Sequence, residues 1–252
     1  MALTRTFDSI VYSKLLTKLS AYGIDGKLLG WLSAFLHYRT QCVVIENCFS
    51  SVADVISGVP QGSVLDPVLF LIFINDIESI CCGETDLKLF ADDLKLYSSV
   101  TIDSPLQSLQ QSIDNLVDWA TRWQLEINIS KCATFTVGTT RGNNSIYTTN
   151  NKRLNNVDSI ADLGVEIDSN LSYQAHIANI VSKATQRVGV LFRGFVTRDI
   201  KFMRKAFVSY IRPILEYNSV VWNPYTKDLT MRIEKVQRRF TKWIPSLGPY
   251  NN

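Results

Sequence analysis

The chain has 252 residues, 46% of them hydrophobic and 19% charged, which excludes a disordered or fibrous protein and allows one large or two small folded domains. The first ten residues hold no apolar signal-peptide core, and the longest apolar run, "VLFLIFI" (Val68 to Ile74), is too short to cross a bilayer. An intracellular protein with no membrane partner is therefore expected. The net charge of +3 hides a division: residues 1–180 carry 12 Lys/Arg against 19 Asp/Glu, a balance of −7, while residues 181–252 carry 14 against 4, a balance of +10. A basic C-terminal third fits a polyanionic partner such as nucleic acid, and it equally fits a solvated helical surface. The five cysteines, Cys42, Cys48, Cys81, Cys82 and Cys132, are odd in number and lack CxxC spacing, so free buried thiols are expected rather than disulfides or a zinc site.

Helical spacing opens the chain. "DSIVYSKLLTKLSAYG" puts Ile10, Leu15 and Leu19 near one face and ends on Gly23. "DGKLLGWLSAFLHYR" starts at Asp25, a good N-cap, and presents Leu28, Leu32 and Phe35. "TQCVVIENCFSSVADVIS" is β-branched around Glu46 to Cys48, the pattern of a hairpin. "GVPQG" (58–62) is a loop with two glycines and a proline. Asp66 and Pro67 then form an N-cap/N1 pair opening a buried helix through about Cys81.

The segment 87–100 reads as strand, turn, strand, with Asp92 and Asp93 at the bend. Next, "SPLQSLQQSIDNLVDWATRW" has a capping box in Ser104 and Gln107, Pro105 at N1, and apolar residues at helical spacing. "ATFTVG" reads as a strand, 138–153 as a polar loop or hairpin tip, and "IADLGVEID" as another short strand. From Tyr173 the pattern is wholly helical. One helix carries Ile177, Ile180, Val188 and Leu191. A second carries Ile200 to Leu215, with Pro213 as a kink or break. A third, from about Thr226, has Leu229, Ile233, Val236 and Phe240 on one face and Arg232, Lys235, Arg238, Arg239 and Lys242 on the other. Arg238 can pair with Glu234 one turn back.

Two adjacent acids between apolar runs repel each other, and a divalent cation relieves that repulsion. Mg²⁺ accepts one or two carboxylates and leaves its other positions to water and substrate phosphates. Two such ions about 4 Å apart serve in-line phosphoryl displacement. A plain solvated turn fits the pair as well.

The order of motifs separates these readings. "SGVPQGSVLDPVLFLIFINDI", "LFADDLKLY", "WATRWQLEINISKC", "DLGVEIDSNLSYQAHI" and "YIRPILEYNSVVWNPY" with "IEKVQRRF" follow "TFDSI" along the chain. This series resembles the reverse transcriptases of non-LTR, LINE-type retrotransposons, especially the jockey-like branch. The resemblance implies an α+β fold: a right-hand polymerase palm, an antiparallel sheet with packed helices, over residues 1–170. A helical thumb and the start of a C-terminal connection would occupy 171–252. It implies RNA-directed DNA synthesis from an RNA template, a DNA primer and deoxynucleoside triphosphates, with two Mg²⁺ ions. Asp92 and Asp93 would be the metal-holding catalytic carboxylates. Lys131 would lie near the triphosphate and neutralise or protonate the leaving pyrophosphate. Phe7 would be the aromatic gate against the 2′-hydroxyl. Gln61 and Gly62 would lie against the incoming nucleotide and template, and Phe90 and Ala91 would pack within the catalytic hairpin. The basic helical face would track the nucleic-acid backbone. Each has a plainer reading beside it: Phe7 as core, Gln61 as a loop cap, Lys131 as a solvated charge. Trp119 and Trp123 read as packing residues, and His37 and His176 have no Cys or His partner at metal spacing.

The chain also departs from the family pattern. A metal-binding aspartate expected five residues before Phe7 meets Ala2, a fingers segment would precede it, and Asp66 stands where glycine is usual. An impaired or inactive chain is the expectation for these 252 residues alone. The alternative to an active polymerase is a remnant that at most binds nucleic acid through its basic helices.

Overall fold

A computed structural model describes residues 6–99, 106–138 and 146–244. It is a mixed helix and strand fold in two compact units. The first holds the described residues to 134 together with 146–156; the second holds 135–138 and 157–244.

The first unit begins with α1 (Thr6–Ser9), α2 (Tyr12–Ala21) and α3 (Gly26–Leu36). Ile10, Leu15 and Leu19 are fully buried, as their spacing predicts, and Gly23 ends the helix at φ +83°. Asp25 is the N-cap of α3, though its side chain makes no cap hydrogen bond. Leu28 was expected on the inner face but is 54% exposed; Leu32 and Leu36 fill that stripe instead.

A doubled hairpin follows, with β1 (Arg39–Gln41) antiparallel to β4 (Ala53–Val55) and β2 (Val44–Ile45) antiparallel to β3 (Cys48–Phe49). Cys42 and Cys48 sit exposed in this arm. All five cysteines are free, but only Cys132 is buried: Cys42 and Cys48 lie on a two-stranded ribbon with no interior to hide a thiol, and Cys81 and Cys82 are partly buried.

Helix α4 (Asp66–Ile74) continues into a 3₁₀ turn, Asn75–Ile80. Phe70 and Phe73 place it in the core with Ile77 and Ile80. Asp66 is not the N-cap. Leu65 holds that position, and the Asp66 amide donates to Ser63 Oγ at 3.1 Å. With the start of the helix satisfied by Ser63, Asp66 Oδ1 is buried without a hydrogen bond.

The hairpin β5 (Asp86–Phe90) and β6 (Asp93–Tyr97) packs on α5 (Leu106–Trp123) through Leu94, Ile113 and Leu116. Ser104 and Pro105 of the expected capping box lie outside the described residues. Lys18 is buried among the aromatic rings of this unit. Its ammonium lies 3.8 Å from the Trp123 ring centroid and 4.8 Å from those of Phe73 and Trp119. It donates to the Phe73 carbonyl and lies 2.5 Å from Asp76 Oδ1, which also accepts from Trp119 Nε1 at 3.1 Å. Trp119 and Trp123 thus pack, and they also enclose a charge.

The chain passes between the units in β7 (Ala133–Phe135) and β10 (Asn155–Val157), with β8 (Thr148–Thr149) and β9 (Lys152–Arg153) as an antiparallel pair between them. "IADLGVEID" is a hairpin rather than one strand: β11 (Ser159–Asp162) pairs antiparallel with β12 (Val165–Asp168). Its turn residues, Leu163 at φ +45° and Gly164 at φ +85°, show the positive pair of a type I′ turn. No sheet larger than two strands forms among the described residues.

Helices α6 (Gln174–Gly194), α7 (Ile200–Tyr210), α8 (Arg212–Glu216), α9 (Ser219–Trp222) and α10 (Lys227–Lys242) complete the second unit. Pro213 opens α8, where its missing N–H costs nothing. The β11–β12 hairpin belongs to this second unit, because Val165 of β12 shares a core with Ile177, Ile180, Trp222 and Leu229. Among the described residues no helix is long and apolar enough to cross a membrane.

Candidate functional site

The twin acids lie at the tip of the β5–β6 hairpin. Phe90 pairs with Asp93, leaving Ala91 and Asp92 as the two-residue turn. Ala91 has φ +51° and Asp92 does not, the sign pattern of a type II′ turn, which normally wants glycine first. Strain of this kind concentrates where a side chain must be aimed. Strand alternation turns Leu89 and Leu94 into the core and leaves Phe90 and Asp93 exposed, while Asp92 is half-buried. Phe90, expected to pack within the hairpin, is 62% exposed because Leu89 takes the inward position. Among the described residues neither carboxylate has a hydrogen-bond or ion-pair partner.

A second cluster joins the chain start to the glycine loop. Phe7 stacks on Phe70 with ring centroids 4.3 Å apart. Its carbonyl accepts from Val59 N at 2.9 Å, and Ile10 O accepts from Gly58 N at 2.8 Å. Gln61 Nε2 donates to Asp8 Oδ1 at 2.7 Å, and Ser57 Oγ donates to Asp8 O at 2.7 Å. Gly58, at φ +81°, lies so close that a Cβ would come within 2.8 Å of the Phe7 and Asp8 backbone. Gly62, at φ +83°, faces open space and leaves its backbone accessible. The sequence reading chose Phe7, Gln61 and Gly62 and missed Asp8 and Gly58, the residues that hold them. "TFD" and "SGVP" carry the only local signal for that docking.

Lys131 ends the 3₁₀ turn Ile129–Lys131 and is exposed. No hydrogen bond or ion pair links it, or the Phe7–Gln61 cluster, to the acid pair among the described residues. On α10, Lys235, Arg238, Arg239 and Lys242 are exposed opposite the buried Leu229, Val236 and Phe240. The ion pair that forms is Arg232 to Asp228 at 2.8 Å; none joins Arg238 to Glu234 among the described residues. The Asp lies nearer the positive N-terminus of the helix and Arg232 one turn on, the favoured orientation.

His176 is buried. Its Nδ1 accepts from Glu166 N at 3.3 Å, and its Nε2 is enclosed without a partner. Burial lowers its pKa; Glu166 opposes that shift and Lys183 adds to it. His37 binds the Ser33 carbonyl through Nδ1 at 2.8 Å and stands edge-on to Tyr12.

The geometry thus has two separate parts: a turn whose two carboxylates have no partner among the described residues, and a glycine loop held by the backbone of Phe7 and Asp8. The sequence profile described as "Reverse transcriptase (RNA-dependent DNA polymerase)" matches residues 1–167, and the chain belongs to that family. It is 30% identical over 191 residues to the RNA-directed DNA polymerase from mobile element jockey of Drosophila funebris, covering 73% of this chain and 21% of that protein. It is 26% identical over 260 residues to the probable RNA-directed DNA polymerase from transposon BS of Drosophila melanogaster, covering 98% of this chain and 28% of that one. The corresponding protein of the X-element from the same fly is 24% identical, covering 85% and 24%. The chain thus spans about a quarter of the length of these curated relatives. The kinship to non-LTR elements drawn from motif order holds.

Reverse transcriptases use divalent metal ions. The residues of this chain offer two adjacent carboxylates with free oxygens, a donor set that suits a hard cation completed by water and phosphate. Among the described residues no group of three or more His, Cys, Asp or Glu stands close enough to hold a metal alone. The position of Ala2 lies outside the described residues.

Proposed function

We propose that this chain is part of an RNA-directed DNA polymerase that extends a DNA primer on an RNA template with deoxynucleoside triphosphates. The carrying observation is the acid pair: two unpartnered carboxylates on a strained turn, in a chain whose family match runs through them. Asp92 and Asp93 would hold Mg²⁺. The ions would activate the primer 3′-hydroxyl and neutralise charge on the transferring phosphate. Phe7, fixed by Phe70 and by the Val59 amide, would gate the sugar 2′-position. Gln61, held by Asp8, would border the nucleotide and template with the accessible Gly62 backbone. Exposed Lys131 would stand near the triphosphate and supply charge or a proton to pyrophosphate. Lys235, Arg238, Arg239 and Lys242 would contact phosphates, with Arg232 sharing its charge with Asp228. Residues 1–170 correspond to a palm and 171–252 to a thumb in this reading.

The test is primer extension by the purified chain with Mg²⁺ on a primed RNA template. Template-dependent extension, however weak, that disappears in Asp92→Asn with duplex binding retained would support the polymerase reading. Salt-sensitive binding without extension would favour an inactive, nucleic-acid-binding remnant. Absence of both would remove the assignment.

A further inference from the structure

We infer that Tyr217, Trp222 and His176 form a clamp that fixes the pose of the β11–β12 hairpin on its helical unit, and that Tyr217 is thereby a positioning residue for the primer strand. The role for the primer rests on the polymerase reading above, in which "DLGVEIDSNLSYQAHI", the stretch that includes β12, resembles the primer-grip region of the family. The clamp itself rests on geometry.

A two-stranded hairpin is marginally stable by itself and takes its orientation from what it touches. Here Val165 is the one fully buried residue of the two strands and partly buried Ile167 packs beside it, so apolar burial anchors β12 and leaves the turn and β11 unheld. Polar links fix the remainder. At the turn, Tyr217 Oη donates to Leu163 O at 2.9 Å. The Tyr217 ring lies against Gly164, where a Cβ would come within 3.3 Å of Cε1. At mid-strand, Glu166 N donates to His176 Nδ1. At the strand end, the Asp168 carboxylate accepts from Asn170 N, Ser172 N, Ser172 Oγ and Tyr173 N at 2.8–3.0 Å, which ties β12 to the start of α6.

The turn and mid-strand links are connected. Trp222 is buried, donates Nε1 to Tyr217 O at 2.8 Å, and packs its ring 5.2 Å from that of His176. Asn218, at φ +55°, bends the chain so that Tyr217 and Trp222 serve one hairpin from opposite ends of α9. Tyr217 is itself 57% exposed, so burial does not oblige its hydroxyl to find this partner. Its contacts go to the turn.

Tyr217→Phe keeps the ring and deletes the hydroxyl. Tyr225→Phe, at a 76% exposed tyrosine of the same unit, is the control. Amide exchange at residues 163–166 is expected to quicken by about 2- to 10-fold in Tyr217→Phe, the worth of one hydrogen bond. The KM for primer–template should rise by a similar factor, with the KM for nucleotide unchanged. Unchanged exchange would overturn the clamp. Faster exchange with an unchanged primer–template KM would overturn the positioning role. If the wild-type chain extends no primer, the dissociation constant for labelled primer–template duplex, read by anisotropy, replaces KM. If it binds no duplex either, the polymerase reading and the positioning role fall together, while the exchange measurement still decides the clamp.

Discussion

Removing Asp76 should destabilise the first unit more than removing Lys18. The reason lies in how the pair is placed: Lys18 is 4% exposed, whereas the Asp76 side chain is 38% exposed. In Asp76→Ala the ammonium stays enclosed by Trp123, Phe73 and Trp119 and loses its counter-charge. Breaking a buried pair in that way costs about 3–5 kcal/mol. In Lys18→Met the carboxylate keeps its bond from Trp119 Nε1 and reaches water, and the thioether chain fills the space of the lysine stem. The loss is then chiefly the cation–ring attraction, about 1–2 kcal/mol. The difference of about 2 kcal/mol corresponds to about 1 M in urea midpoint at a slope near 2 kcal/mol/M. Urea titration followed by tryptophan fluorescence measures it, since Trp119 and Trp123 line the cage. Equal midpoints for the two variants, or a lower one for Lys18→Met, would refute the reasoning.

Two further outcomes follow from the packing. Gly58→Ala must accept a left-handed φ and push a methyl into the Asp8 backbone, at a cost of about 3 kcal/mol or more and a Tm lower by about 6–12 °C; a fall of under 2 °C would mean that α1 is not held against the loop. His176 is held below its ordinary pKa of 6.5, chiefly by burial, so the unfolded chain takes up its proton first. Its contribution to stability is therefore complete above pH 6.5, declines as pH falls through 6.5 toward the folded pKa, and is gone below that value. Tm measured from pH 8 to 5 should show this decline, and His176→Asn should flatten it.

Much of the architecture was legible as periodicity. Leu15 and Leu19, Ile113 and Leu116, and Ile177 and Ile180 are buried where 3.6-residue spacing puts them. The acid bend was legible because leucines alternate on both sides of it. Other readings failed because local pattern did not decide them. Asp66 looks like an N-cap, but the helix starts one residue earlier, and Leu65 O already accepts from Leu69 N, an amide that an Asp66 cap would have taken. "IADLGVEID" looks like one strand, yet Leu163 and Gly164 both turn left-handed within it. Leu28 and Phe90 look like core residues, yet the stripe and the strand face they were assigned to are filled by Leu32 and Leu89. Two of the cysteines fall on an arm with no interior.

By itself the sequence determined the longer helices and the hairpin that carries the twin acids, because these depend on interactions within a few residues. Tertiary structure alone decided which partners those residues meet. Asp8 holds Gln61 from 53 positions away and Asp76 holds Lys18 from 58. Tyr217 reaches Leu163 across 54. A carboxylate, an ammonium or a hydroxyl carries no mark of its partner in the local pattern; only the packing of distant helices and loops brings the two within hydrogen-bond reach.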